Sequence, residues 1–142
     1  MSVLGEEMIE TAEEFVRLRT SDVEEEYYRA AHEPASLHVW LEVIAKYPDM
    51  RFWVAHNKTV PLEILDILAK DGDSKVRSMV ASKNKLTPKL LEQLSRDDHE
   101  SVRQTVACHR KVSIPVLERL TKDPQIIVAT VASEKLSKRE VT

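Results

Sequence analysis

The sequence predicts an all-α fold built from stacked helix pairs, and three observations carry that prediction. The phrase Val-Arg-Ser-Met-Val-Ala at 76–81 returns as Val-Arg-Gln-Thr-Val-Ala at 102–107, and more loosely as Met-Arg-Phe-Trp-Val-Ala at 50–55 and Ile-Val-Ala-Thr-Val-Ala at 127–132. A phrase that returns about every 26 residues marks a repeat array, in which each unit packs on its neighbours. Within a unit the apolar residues recur three and four apart, the helical period, rather than two apart. Two glycines and six prolines in 142 residues are too few for a chain rich in β-turns.

The first element is read as an amphipathic helix over 6–19, with Met8, Ile9, Ala12, Phe15, Val16 and Arg19 along one face. Thr20-Ser21-Asp22 supplies a break and a cap for a second helix from Glu24 to Ala31, closed by Glu33-Pro34. Residues 1–29 do not follow the repeat and are expected to form a helical cap, since an array must cover its first exposed apolar face.

From Ala30 the register can be counted. Repeats are assigned to 30–53, 54–79, 80–105 and 106–130, with a partial C-terminal repeat at 131–142. Together these make about four to five two-helix units of period 24–26 in a single domain. Leu65, Leu91 and Leu117 form one column, Leu68, Leu94 and Leu120 a second, Asp71, Asp97 and Asp123 a third, and Arg51, Arg77 and Arg103 a fourth. The first helix of each unit starts at cap or first-turn residues: Pro61, Thr87-Pro88, or Ser113 with Pro115. The aspartates have two readings. They are N-cap or turn residues at the start of the second helices, or, lying six residues before an arginine, they build an alternating Asp-Arg ladder along the array.

The run from Val76 through Asp97 resembles the leucine-rich repeat variant family, and Asp71 followed by Val76-Arg77 also resembles the second half of a HEAT repeat. The resemblance spans about residues 30–136. It implies a right-handed α-solenoid of paired short helices, in the variant family often an α-helix alternating with a 3₁₀-helix. The family's prototype carries a cysteine cluster that binds iron-sulfur. Cys108 is the only cysteine here, so no cluster is carried over.

The single cysteine also excludes an internal disulfide and fits a reducing compartment. No apolar stretch approaches the length of a membrane span, so no membrane association and a cytoplasmic location are expected. Charge is uneven. Residues 1–53 hold five Lys/Arg against twelve Asp/Glu, a balance of −7, and residues 54–142 hold sixteen against twelve, a balance of +4. A surplus of +4 on that length argues against a dedicated nucleic-acid binder.

No catalytic constellation is visible. The histidines at 32, 38, 56, 99 and 109 show no His-Glu-x-x-His spacing, and Cys108 beside His109 does not form a dyad on a helix. No catalytic residue, cofactor or metal is therefore expected, and the chain reads as a non-enzymatic scaffold for binding another protein. Alternatives are an inhibitor or immunity-type protein, whose acidic first third opposes a basic surface, and a DNA-associated HEAT-like protein.

Candidate binding residues lie on the repeated second-helix face: Arg51, Phe52, Trp53, Arg77, Ser78, Arg103 and Gln104. All seven aromatics, Phe15, Tyr27, Tyr28, Trp40, Tyr47, Phe52 and Trp53, fall before residue 54. They are expected to pack as a core between cap and first repeat, or to leave Phe52 or Trp53 partly exposed as anchors. The arginine column reads an acidic surface or a phosphate backbone, or pairs with the aspartates. Lys58, Lys83, Lys85, Arg110, Lys111 and Lys135 gather at the expected turns as a solvated rim or a second contact edge.

Overall fold

A computed structural model describes residues 7–141, with the side chains of Glu140 and Val141 outside the described set. Among the described residues the chain is all-helical. Its α-helices are α1 (Ala12–Arg19), α2 (Glu24–His32), α3 (Leu37–Lys46), α4 (Arg51–His56), α5 (Leu62–Leu68), α6 (Ser74–Ala81), α7 (Pro88–Leu94), α8 (Glu100–Cys108), α9 (Ile114–Leu120) and α10 (Ile126–Val141). A 3₁₀ turn, Pro48–Met50, precedes α4. The backbone divides into two compact units, Met1–Leu68 and Ala69–Thr142.

Side-chain caps set most helix starts. Thr11, Ser36, Thr87 and Ser113 each accept the backbone N–H three residues on, satisfying one of the donors a helix leaves unpaired. Pro88 and Pro115 sit in first turns, where a missing N–H costs nothing. The first helix begins at Ala12, later than the apolar pattern predicts, because Thr11 caps it. Ile9 instead donates its N–H to the Pro34 carbonyl at 2.9 Å, in an isolated parallel bridge between Ile9 and Ala35. Glu6 of that expected helix lies outside the described residues. The break after α1 also differs in detail. Val23 occupies the cap position of α2 without a side-chain bond, and Ser21 Oγ accepts from Val23 N–H instead.

In the first unit α1 packs on α2 and α3, while α4 packs on α2, α3 and α5. Phe15 and Trp40 are fully buried and meet edge to face with centroids 5.3 Å apart. In the second unit α6 packs on α8 and α8 on α10, with α7 and α9 each touching the helices on either side of them in sequence. The leucine columns at 65, 91 and 117 and at 68, 94 and 120 are all buried, as are Val54, Val80 and Val106. Arg119 of α9 reaches α7, donating to Ser95 Oγ at 2.7 Å and to Glu92 Oε2 at 3.1 Å.

Buried polar groups at helix ends are satisfied in a recurring way. Asn57, which closes α4, donates Nδ2–H to the carbonyls of Ala30 and Glu33 and accepts Thr59 N–H on Oδ1. His109, which closes α8, bonds through Nε2 to the Lys83 carbonyl at 2.7 Å and accepts Lys111 N–H on Nδ1 at 3.0 Å. A carbonyl only accepts and an N–H only donates, so these two bonds fix the neutral ring with its proton on Nε2. Each side chain ties its turn to backbone 24 to 27 residues earlier in its own unit.

The last helix differs from the repeat pattern. α10 runs 16 residues to Val141, about twice the length of α6. Lys135 therefore lies inside a helix, not at a turn. Arg139 of α10 donates to the carbonyls of Val112 and Arg110, so the added turns reach back to the loop after α8.

Candidate functional site

The arginine column is committed to internal pairing in the second unit. Arg77 Nε donates to Asp97 Oδ2 at 2.8 Å and its Nη2 to Asp97 Oδ1 at 3.1 Å, while Nη1 reaches the Asp71 carbonyl at 2.7 Å. Arg103 repeats this arrangement, with Asp123 at 2.7 and 3.1 Å and the Asp97 carbonyl at 2.8 Å. This is the pairing of the ladder reading, and of the other reading the turn role holds while the N-cap role does not. Asp97 and Asp123 accept backbone N–H groups two residues on, from His99 and Gln125, as turn residues. The cap positions themselves are held by Asp73 on α6 and His99 on α8. An aspartate placed two residues earlier holds the turn and keeps both oxygens aimed at the arginine fork.

Burial pushes the Asp97 and Asp123 carboxyls up. The hydrogen bonds from their arginines and from the turn N–H groups outweigh it and hold both below the usual carboxylate range. The same pairing, chiefly the hydrogen bond to aspartate, raises Arg77 and Arg103. The neighbouring candidates are modestly placed. Ser78 Oγ lies 3.1 Å from Ser101 Oγ, and Gln104 is half-buried on α8. In the first unit Arg51 donates Nε–H to the Ile44 carbonyl at 3.0 Å.

Phe52 and Trp53 belong to a different environment. Both are half-buried on α4 and meet edge to face at 4.9 Å. Trp53 walls a pocket of about 270 Å³ that lies within the first unit. Arg19, the last residue of α1, lays its guanidinium over the Trp53 ring, 3.5 Å from the centroid. From α2 come Tyr27, Tyr28 and His32, with Ala30 and Ala31 leaving room between them, and from α4 comes His56. Glu24, at the exposed start of α2, completes the lining.

The rings are ordered by contacts within single helices. Tyr28 and His32 stack with centroids 3.8 Å apart, and His32 donates Nδ1–H to the Tyr28 carbonyl at 2.9 Å. Phe52 and His56 stack at 6.5 Å with the same four-residue spacing. Tyr27 and Tyr28 are 40% and 58% exposed, so the expectation that the aromatics form one core holds for Phe15 and Trp40 but not for the tyrosines of α2. Electrostatically the pocket is unusual in one respect. Among the described residues Arg19 has no carboxylate partner, and its Nε is sealed from solvent without an acceptor. Stacking on Trp53 offsets that loss, since a cation over an indole contributes about 0.5 to 2 kcal/mol.

The pocket combines an apolar, ring-lined volume with one fixed cation, which suits it to hold an apolar group beside a charged one. Among the described residues no group of three or more His, Cys, Asp or Glu could hold a metal ion, and no helix is long and apolar enough to cross a membrane. Sequence reasoning reached Trp53 and Phe52 but missed Arg19, Tyr27, Tyr28, His32 and His56. Two signals were present. Arg19 lies on the apolar face of its helix, and Tyr28-x-x-x-His32 and Phe52-x-x-x-His56 repeat an aromatic–histidine pair 24 residues apart. No protein family, curated protein or solved structure matches this chain.

Proposed function

We propose that this chain is a non-enzymatic protein-binding module, a helix-pair repeat scaffold of the right-handed α-solenoid kind, whose contact site is the ring-lined pocket of the first unit. The observation that supports it most is the pocket itself. Tyr27 and Tyr28 stand in solvent beside Trp53 and an arginine with no carboxylate partner among the described residues. Tyr, Trp and Arg are the side chains that dominate binding hot spots, and leaving large rings in water forgoes burial worth roughly 25 cal/mol per Å². The scaffold reading draws on the recurring phrase and on the succession of α6, α8 and α10, each packed on the one before. Arg77 and Arg103, being held by aspartates, contribute to the scaffold and not to contact.

The test is affinity capture from the native host with four variants whose helicity is first checked by circular dichroism. Partners retained by the wild type should be lost with Trp53→Ala and Tyr28→Ala and kept with Ser78→Ala and Gln104→Ala. Retention in all four overturns the proposal. Loss with the Ser78 and Gln104 variants moves the contact to the second-helix face.

A further inference from the structure

We propose that the pocket selects a carboxylate: its occupant is a peptide segment that inserts one large apolar side chain among Tyr27, Tyr28 and Trp53 and sets a neighbouring Asp or Glu side chain on Arg19. This inference rests on the pocket being the contact site. The first reason is charge. Other arginines of the same unit have found acids, Arg17 with Glu26 at 2.8 Å and Arg29 with Glu33 at 2.5 Å and Glu14 at 3.4 Å. Residues 1–53 hold twelve Asp and Glu, so this part of the chain is rich in carboxylates. Yet the guanidinium meets none among the described residues and sits over the Trp53 ring, 3.5 Å from its centroid. With Nε sealed, the fork keeps its two Nη groups for an incoming carboxylate, which accepts hydrogen bonds from both.

The second reason is size. A volume of about 270 Å³ lies just below the range of about 300 to 1,000 Å³ usual for cofactor and drug-sized ligands. It suits one side chain with an attached or adjacent charge. The third is the character of the walls. Rings and two alanines make up most of the lining, so an apolar side chain meets a largely apolar wall. Glu24 is the one acid on the lining. Exposed at the first residue of α2, it repels an acidic ligand only through solvent, which weakens the effect.

The experiment titrates the full chain, labelled with nitrogen-15, with two capped tetrapeptides, acetyl-Gly-Asp-Phe-Gly-amide and its Asn counterpart, following the Trp53 indole and Arg19 Nε–H resonances. The Asp peptide should shift both and bind about tenfold tighter than the Asn peptide. Arg19→Gln should bring the two peptides to equal affinity, and Glu24→Gln should keep the preference or enlarge it. Equal binding of both peptides to the wild-type chain overturns the carboxylate inference while leaving the pocket a contact site. A preference that survives Arg19→Gln places the carboxylate elsewhere and also overturns it. If neither peptide moves either resonance, the inference fails, and the capture experiment above decides the pocket's role independently.

Discussion

Arg103 holds Asp123 by a two-pronged contact, Nε to Oδ2 at 2.7 Å and Nη2 to Oδ1 at 3.1 Å, and links α8 to the turn that begins α10. Both side chains are mostly buried, the aspartate at 4% exposure. Removing the charge from one partner leaves the other desolvated and partly unpaired. Asp123→Asn keeps an oxygen for Gln125 N–H but cannot serve both arms of the fork. It should cost about 2 to 3 kcal/mol in urea unfolding. Lys122→Ala, which touches no such contact and sits on the exposed surface next door, should change stability by less than about 0.5 kcal/mol.

The same carboxylates set an acid limit. Asp97 and Asp123 are held below their ordinary values in the folded chain, so near and below about pH 4 the unfolded chain binds more protons than the folded one. Stability from the ladder is therefore complete above the unfolded aspartate value and is lost as pH falls through the lowered folded values. Thermal melts from pH 7 to pH 2 should show Tm falling most steeply below about pH 4. The Asp97→Asn, Asp123→Asn double variant should start lower at pH 7 and fall less over that window. An equal fall in both chains rules out the ladder as the source.

His109 and Asn57 perform one task with different chemistry, which makes an exchange informative. Each closes a helix, donates to an earlier carbonyl and accepts the N–H two residues on. An amide offers the same donor and acceptor as the neutral imidazole. His109→Asn should therefore lose less stability than His109→Ala, which removes the bonds to the Lys83 carbonyl and from Lys111 N–H at a cost of about 1 to 3 kcal/mol. Urea midpoints with unchanged m-values would separate this loss from a change in the unfolded state. An alanine variant as stable as the asparagine one contradicts the assignment.

Some of this was legible in the sequence and some was not, for physical reasons. Helical class follows from period. Leu65 and Leu68, Leu91 and Leu94, and Leu117 and Leu120 are each three apart, so one face of each helix buries its pair, and all six are buried. The pairing of Arg77 with Asp97 was legible as one of two readings, because a column of aspartates beside a column of arginines admits both a cap and a ladder. Only the turn geometry decides, and it assigns the cap to Asp73. The late start of α1 was hidden because Ile9 is apolar whether it packs in a helix or in a bridge to Ala35. The pocket was hidden because it needs α1, α2 and α4 together. Spacing along one helix predicts Tyr28 on His32, but nothing along the chain places Arg19 on Trp53.

The aromatics give the sharpest contrast, since one residue type serves two purposes within one unit. Phe15 is fully buried, packs its ring on the edge of Trp40, and lies on α1 where that helix covers α3. Phe15→Ala removes the ring and leaves a void that the surrounding helices fill only in part, so about 3 to 5 kcal/mol should be lost. Tyr28 is more than half exposed and meets His32 on its own helix, so Tyr28→Ala should cost under about 1 kcal/mol. If the tyrosines were core residues, the two variants would lose similar amounts. Chemical denaturation of both, beside the wild type, reads the difference directly. A Tyr28 variant that is stable yet loses the captured partner is the expected outcome for a ring kept at the surface for contact, at a site where packing alone does not require it.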